Sequence, residues 1–223
     1  WLWFSEDAVD PLAEELETRI HASGGELIRV VLTQGAQSDN RTLRALDPES
    51  RAEFDRLIAE ICSRYTTLVR LAGVFYATAN EQLADDASAD AVLSRVKSRT
   101  AWMVNLTSAL ARAVGNGSIS IQNSKCLLIT RDAQPIADAS GEMSLDVASA
   151  PLLGFALTWP HEVGGSRQCS VDLPRTIDAN HAADCVWNEL HAIASASAKS
   201  STEVVYRQTQ RYVRSIQPSD GTR

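Results

Sequence analysis

Short apolar runs alternate along the chain with amphipathic stretches of helical period, and this alternation limits the possible folds more than any other feature of the sequence. The runs "ELIRVVLT" (26–33) and "KCLLITRDA" (125–133) are predicted to be buried strands. A polar connection, "QGAQSDNR" (34–41), separates the first of these from an amphipathic helix predicted over 47–65. Because single helices separate the strands, we expect an α/β fold with a mostly parallel sheet flanked by helices. The last pattern, 203–218, predicts an antiparallel hairpin that closes the sheet.

Capping residues and prolines predict where the helices begin and end. Ser5 or Asp7 is predicted to cap the first helix, Asp47 the second and Asp178 the last. The helix that starts near 150 is expected to end before Pro160, because proline cannot donate the backbone hydrogen bond that a helix interior needs.

Charge and cysteine usage exclude several classes of function. With 28 acidic and 21 basic residues the net charge is −7, which argues against a nucleic-acid surface and against binding to anionic membrane. No run of about 18 apolar residues occurs, so no membrane span is expected. The cysteines are scattered and the histidines form no HxxxH or HExxH pair, which predicts reduced thiols, a cytoplasmic location and no metal site. These cysteines are Cys62, Cys126, Cys169 and Cys185.

Glycines are missing where a dinucleotide would need them. A pyrophosphate site requires G-x-G-x-x-G directly after the first strand, so that the backbone can approach the phosphates. Here "SEDAVD" (5–10) follows that strand, and the carboxylates of Glu6 and Asp7 would repel a pyrophosphate; we interpret them as helix caps. The glycines of "GNGS" (115–118) come after a helix and indicate its end. We therefore expect no cofactor and no cofactor-binding residues.

Ser63 and Tyr76 supply an alternative hypothesis. They are 13 residues apart, and Asn80 follows Tyr76 at the spacing found in short-chain reductases that act on polyketides. Such an enzyme also needs a lysine that lowers the pKa of the tyrosine, but the first lysine of this chain is Lys97. The stretch between Ser63 and Tyr76 reads as a strand and not as a glycine-rich loop. We expect no catalytic residues, and a small stand-alone reductase that uses Ser63 and Tyr76 stays open as the alternative.

Four segments resemble, in the right order, the first half of the ketoreductase region of modular type I polyketide synthases. They are "CLLITRDAQPI" (126–136), "APLLGFALTWPHEV" (150–163), "SVDLP" (170–174) and "EVVYRQTQRYVRSIQ" (203–217). The second departs from the family's glycine-rich pattern and keeps only Gly154. This departure fits either a divergent synthase or a module whose ketoreductase has lost activity and persists as a pseudo-ketoreductase.

The resemblance implies a structural role. Residues 1–217 would form the structural subdomain, a truncated Rossmann-like unit without a cofactor site, and 218–223 a linker toward the catalytic subdomain. Such a subdomain is not an enzyme by itself; it supports the NADPH-binding half in polyketide biosynthesis. The implied partners are the catalytic ketoreductase subdomain and neighbouring synthase domains of the same polypeptide, in a homodimeric parent synthase, with no nucleic acid and no membrane. An unrelated α/β interaction domain is a further alternative.

The closing hairpin carries Arg207, Arg211 and Arg214 in an otherwise acidic chain. They could form a solvated face or pair with carboxylates of a partner subdomain. Because isolated surface ion pairs contribute little, apolar side chains should dominate any docking. The candidates are Val204, Val205, Tyr212, Val213 and Ile216.

Overall fold

The computed structural model describes residues 1–33, 43–65, 68–81, 83–84, 86–136, 145–162, 166–194, 203–208 and 210–214. The helices are α1 (Pro11–Ala22), α2 (Arg51–Ser63), α3 (Ala89–Gly115), α4 (Ala150–Glu162) and α5 (Ala179–Ala194). The strands are β1 (Leu2–Ser5), β2 (Ile28–Leu32), β3 (Leu43–Leu46), β4 (Val69–Arg70), β5 (Gly73–Ala77), β6 (Ile119–Ser120), β7 (Lys125–Arg131), β8 (Arg167–Leu173), β9 (Glu203–Arg207) and β10 (Gln210–Val213). Within these ranges, no helix is long and apolar enough to cross a membrane.

Eight of the described strands form one sheet in the order β10-β9-β8-β7-β5-β1-β2-β3. β10 is antiparallel to β9, and every other described pairing in this sheet is parallel. Helices cover both faces, α2, α3 and α4 on one side and α1 and α5 on the other. The strands are therefore apolar on both sides, as in β1, where Phe4 packs toward α3 and Trp3 toward α1. The predicted fold class and the closing hairpin are confirmed.

The first helix begins later than the sequence predicted. Its cap is Asp10, whose Oδ1 accepts hydrogen bonds from the backbone N–H groups of Leu12 (3.2 Å) and Ala13 (3.4 Å). Pro11 then stands in the first turn, where its missing N–H costs nothing. Ser5 still belongs to β1, so the prediction of a cap at Ser5 or Asp7 is wrong.

The second helix is also shorter than predicted. It begins at Arg51, and Asp47 accepts a hydrogen bond from the backbone N–H of Glu49 (2.9 Å) in the turn before it. Asp47 is therefore a turn residue and not the cap. At the last helix the prediction is confirmed, since Asp178 Oδ1 accepts from the backbone N–H of His181 (2.9 Å).

α4 runs through Pro160 to Glu162, although the sequence predicted an end before the proline. Pro160 lies in the last turn, so it removes one helical hydrogen bond and leaves the rest of the helix intact. The indole of Trp159 is buried in the core beside it and holds this turn in place.

The structure contains a strand that the sequence did not predict, β3, and it divides the single strand predicted before Tyr76 into β4 and β5. β3 pairs with β2 directly after the connection, and the segment before Tyr76 divides into β4, which pairs with β6, and β5, which pairs with β1 and β7. Gly73 opens β5 because a Cβ there would lie 2.4 Å from the ring of Trp1. Residues 34–42 and the predicted linker 218–223 lie outside the described residues.

Candidate functional site

The candidate site is the carboxyl edge of the sheet where the strand order reverses. From β1 the chain order proceeds to β2 and β3 on one side, and to β5, β7, β8 and β9 on the other. Open parallel sheets bind ligands in the crevice at such a switch point. In this chain Glu6 follows β1 directly and enters that crevice.

A buried arginine from α3 neutralises Glu6. The side chain of Arg99 is 0% exposed; its Nε donates to Glu6 Oε1 (2.7 Å) and its Nη2 to Glu6 Oε2 (3.0 Å). Its Nη1 donates to Asp146 Oδ2 (2.7 Å) and to Ser149 Oγ (2.9 Å), in the segment that leads into α4. These residues form one buried network of charges at the crevice, the Glu6–Arg99–Asp146 network.

Tyr76 belongs to the same network. Its hydroxyl donates to Glu6 Oε1 (2.7 Å), and its ring stacks on Trp102 with 4.0 Å between the ring centroids. Glu6 Oε2 also accepts from the backbone N–H of Ala79 (3.0 Å). Tyr76 is buried at the second-last position of β5, packed against Trp102.

The network shifts the pKa of Glu6 and the pKa of Tyr76. Burial would raise the pKa of Glu6, but its hydrogen bonds and ion pair with Arg99, aided by Ala79 and Tyr76, lower it overall. The stability that this carboxylate contributes is therefore present above the ordinary pKa of glutamate and is lost as the pH falls through the lowered value. Burial and the negative charge of Glu6 raise the pKa of Tyr76 well above its usual value. A tyrosine in this state is a poor proton donor to an alkoxide near neutral pH.

Ser63 and Tyr76 are not brought together. Ser63 is exposed at the end of α2, where its Oγ donates to the carbonyl of Glu60 (2.8 Å). Because α2 connects two parallel strands, its last residue lies at the amino edge of the sheet, opposite the edge that holds Tyr76. Lys97 pairs with Glu49 on the surface (2.7 Å).

The start of α1 is occupied by a carboxylate of the chain itself. Besides capping α1, Asp10 accepts a hydrogen bond at Oδ2 from the indole Nε1 of Trp3 (3.0 Å). Asp7 Oδ2 accepts from the backbone N–H of Asn80 (3.0 Å). Helix N-termini at this position bind phosphate in dinucleotide folds. Here the same N–H groups bind Asp10.

Sequence reasoning found the carboxylates of this loop but missed Asp10 as the cap and Arg99 as the partner of Glu6.

The three arginines of the hairpin all have carboxylate partners within the chain. Arg207 pairs with the buried Asp172 (2.7 Å), and Arg211 with the buried Glu189 (2.6 Å). The third, Arg214, pairs with Glu203 (2.9 Å).

The apolar hairpin residues divide into two groups. Val204 and Val205 are buried, whereas Tyr212 and Val213 are exposed on β10. The exposed pair borders a largely apolar groove of about 650 Å³ against α4, which also presents Leu157. We call this surface the α4–hairpin groove. Ile216 lies outside the described residues.

Over the parts of the chain that the structure describes, no three histidine, cysteine or acidic side chains are grouped so that they could hold a metal ion. The cysteines are free thiols, and three of them are buried. Burial raises the pKa of Cys126 and of Cys169 to about 12 and that of Cys185 to about 11. Cys62 is only partly buried.

This difference predicts selective alkylation. With iodoacetamide at pH 8, the folded chain should be labelled at Cys62 well before Cys126, Cys169 or Cys185, because only an accessible thiolate reacts. Peptide mass spectrometry would assign the labels, and the chain in guanidinium chloride, where all four should react, is the control. Labelling of Cys126 or Cys169 as fast as Cys62 in the folded chain would contradict the burial described above.

Comparisons with known proteins identify solved structures that share this fold. No protein-family model and no curated protein matches the chain. Among solved structures, the chain is similar to the adenylation, ketoreductase and pseudo-Asub multidomain structure of a keto acid-selecting NRPS module, with 13% identity and a TM-score of 0.71 over 95% of this chain and 16% of that one. It is also similar to an N-terminal ketoreductase from the macrolactin assembly line, with 14% identity and a TM-score of 0.62 over 100% of this chain and 41% of that one.

A free-standing enzyme matches as well. A short chain dehydrogenase from Burkholderia cenocepacia in complex with NADP is 13% identical, with a TM-score of 0.59 over 93% of this chain and 88% of that one. At these identities the likeness establishes the fold alone. The chain has the Rossmann-like fold of ketoreductase domains and short-chain dehydrogenases, and it spans less than half the length of the two assembly-line chains.

Proposed function

We propose that the chain is a non-catalytic structural subdomain that supports the NADPH-binding ketoreductase half of a polyketide synthase module. The observation that carries this proposal is the filled crevice. The Glu6–Arg99–Asp146 network occupies the switch point, and Asp10 occupies the helix terminus at which a pyrophosphate would bind.

The chemistry of Tyr76 supports the same conclusion. In a short-chain reductase the tyrosine hydroxyl must be free to face the substrate, and a lysine must lower its pKa. Here the hydroxyl is committed to Glu6, and the neighbouring cation, Arg99, is itself paired with two carboxylates. Burial and the negative charge of Glu6 outweigh the opposing charge of Arg99, so the pKa of Tyr76 is raised, the opposite of what a catalytic lysine does.

The α4–hairpin groove is the docking surface that we assign to the catalytic half. It is lined mainly by apolar side chains, and Arg214, the arginine that lines it, is already paired with Glu203. Burial of this apolar surface, rather than new ion pairs, would drive the association. The partners are the catalytic subdomain and adjacent synthase domains of one polypeptide, within a homodimeric synthase.

A stand-alone short-chain reductase is the second candidate. The nearly complete mutual coverage with the NADP-bound dehydrogenase favours it. The two candidates differ in what they require of Tyr76: a reductase needs its hydroxyl for the reaction, whereas a structural subdomain does not.

Co-expression with the catalytic half of the parent polypeptide tests the proposal. The chain should co-purify with that half and increase its soluble yield, and Tyr76→Phe should leave reduction of a β-ketothioester unchanged. Leu157→Glu, in the α4–hairpin groove, should abolish co-purification, whereas Leu93→Glu, at an exposed position of α3, should not. Reduction that depends on the Tyr76 hydroxyl, or a catalytic half that is equally soluble and active without the chain, would contradict the proposal.

A further inference from the structure

A second feature of the carboxyl edge is a cleft of about 220 Å³ between the ends of β1, β5 and β7 and the start of α5. Its polar lining comes from Asp7, Asp10, Thr78, Asn80 and Arg131. A water molecule in the liquid occupies roughly 30 Å³, so the cleft has room for a small organic molecule. It is smaller than the roughly 300–1,000 Å³ of pockets that enclose drug-sized ligands, and a dinucleotide would not fit inside it. We call it the Arg131 cleft.

Arg131 is a buried cation without a partner. It ends β7 with 9% of its surface exposed, and it makes no hydrogen bond or ion pair with any described residue. Arg99 and Arg207, the other buried arginines of this edge, each have a carboxylate within 2.7 Å. Burial lowers the pKa of Arg131, and the fields of Asp10 and Asp132 oppose this change. A guanidinium stays charged in proteins, and the nitrogen atoms of Arg131 are not fully buried, so they are accessible from the cleft that the residue lines.

The hydroxyl of Thr78 is a buried, unsatisfied group on the same cleft. Its Oγ1 is buried and has no hydrogen-bond partner among the described residues. Native proteins rarely leave such atoms unpaired, and a bound ligand or water usually accounts for the exceptions. The Thr78 hydroxyl and the Arg131 guanidinium can both donate hydrogen bonds, which is what an oxyanion accepts.

The two carboxylates of the cleft are already engaged. Asp10 binds the first N–H groups of α1 and the indole of Trp3, and Asp7 accepts from the backbone of Asn80. The N-terminal ends of α1 and α5 both open on the cleft, at Pro11 and Ala179. The first offsets the charge of Asp10, which caps it, and the second is capped by Asp178. The charge left without a hydrogen-bonded partner is that of Arg131.

We propose that the Arg131 cleft binds a small oxyanion, the carboxylate or phosphate group of a compact organic compound, held by the Arg131 guanidinium and the Thr78 hydroxyl. This site is independent of the proposed function. It requires neither a catalytic half nor a redox reaction.

Isothermal titration calorimetry on the full chain tests the site, with inorganic phosphate and acetate as probes and the ionic strength held constant with sodium chloride. We expect saturable binding of at least one probe at one site per chain, and the probe that binds identifies a phosphate or a carboxylate as the ligand group. Arg131→Met should weaken binding by about tenfold or more, since hydrogen bonds to a charged group are lost. Arg112→Met removes the same charge from an exposed position of α3 that pairs with Asp55, and it should leave binding unchanged.

The fold of the variant can be verified separately. Arg131→Met removes a largely buried charge that makes no hydrogen bond and keeps an unbranched apolar stem, so its thermal unfolding should stay cooperative. Thr78→Val provides an independent variant and should weaken binding severalfold; if Arg131→Met fails to fold, this loss decides the question. Absence of saturable binding for both probes, or equal binding by the wild-type chain and the variants, would overturn the proposal.

Discussion

Arg99→Met should lower the free energy of unfolding by about 3–5 kcal/mol, the usual cost of removing one partner from a buried ion pair. The variant leaves Glu6 and Asp146 buried at the crevice without the cation that contacts both. The stability of a whole domain is only about 5–15 kcal/mol, so a substantial part of it would be lost. Urea unfolding followed by circular dichroism would measure the change.

Arg112→Met is the matched control for this experiment. Arg112 lies on the same helix and pairs with Asp55, but both side chains are exposed, so its loss should cost less than about 1 kcal/mol. Combining Glu6→Gln with Arg99→Met should cost less than the sum of the two single variants, because the second change removes a charge that the first has left unpaired. A loss at Arg99 no larger than at Arg112 would contradict the role assigned to the network.

Trp102→Ala should have an effect of similar size for a different reason. Trp102 is 2% exposed and packs against the rings of Tyr76 and Phe4, with centroid distances of 4.0 Å and 5.7 Å. Truncation to alanine would leave a cavity beneath the crevice and should cost about 3–5 kcal/mol in the free energy of unfolding. The same urea titration would measure it.

Val104→Ala gives the comparison on the same helix. Val104 is 51% exposed, so its truncation should change the stability by no more than about 0.5 kcal/mol. If Trp102→Ala were as mild, the aromatic cluster would not support the crevice, and the packing between α3 and the sheet would need another explanation.

Local patterns predicted the fold well because its elements depend on local properties. The alternation of apolar runs and helical periods is enough to predict a parallel sheet, and the terminal pattern is enough to predict the hairpin. The errors lie at boundaries. The cap of α1 is Asp10 and not Ser5 or Asp7, since β1 extends to Ser5 and α1 begins only at Pro11. α4 includes Pro160, and the buried Trp159 packs its last turn against the core.

The candidate site was only partly predictable from sequence. Glu6 and Asp7 stood out because carboxylates replace glycines after the first strand. The partner of Glu6 could not be found in the same way, since Arg99 is 93 residues away and the helical pattern of α3 gives no sign of a buried cation. Arg131 was missed for a different reason. At the end of an apolar strand, its side chain would ordinarily be expected to reach solvent.

The most direct test of the account is a titration of the isolated chain with NADPH, followed by the fluorescence of the nicotinamide. A crevice filled by the Glu6–Arg99–Asp146 network and a helix terminus bound to Asp10 predict no saturable enhancement at millimolar NADPH, while a short-chain dehydrogenase treated in parallel should show it. Saturable enhancement with one NADPH per chain would contradict the account, because the dinucleotide would then occupy the space that these side chains fill.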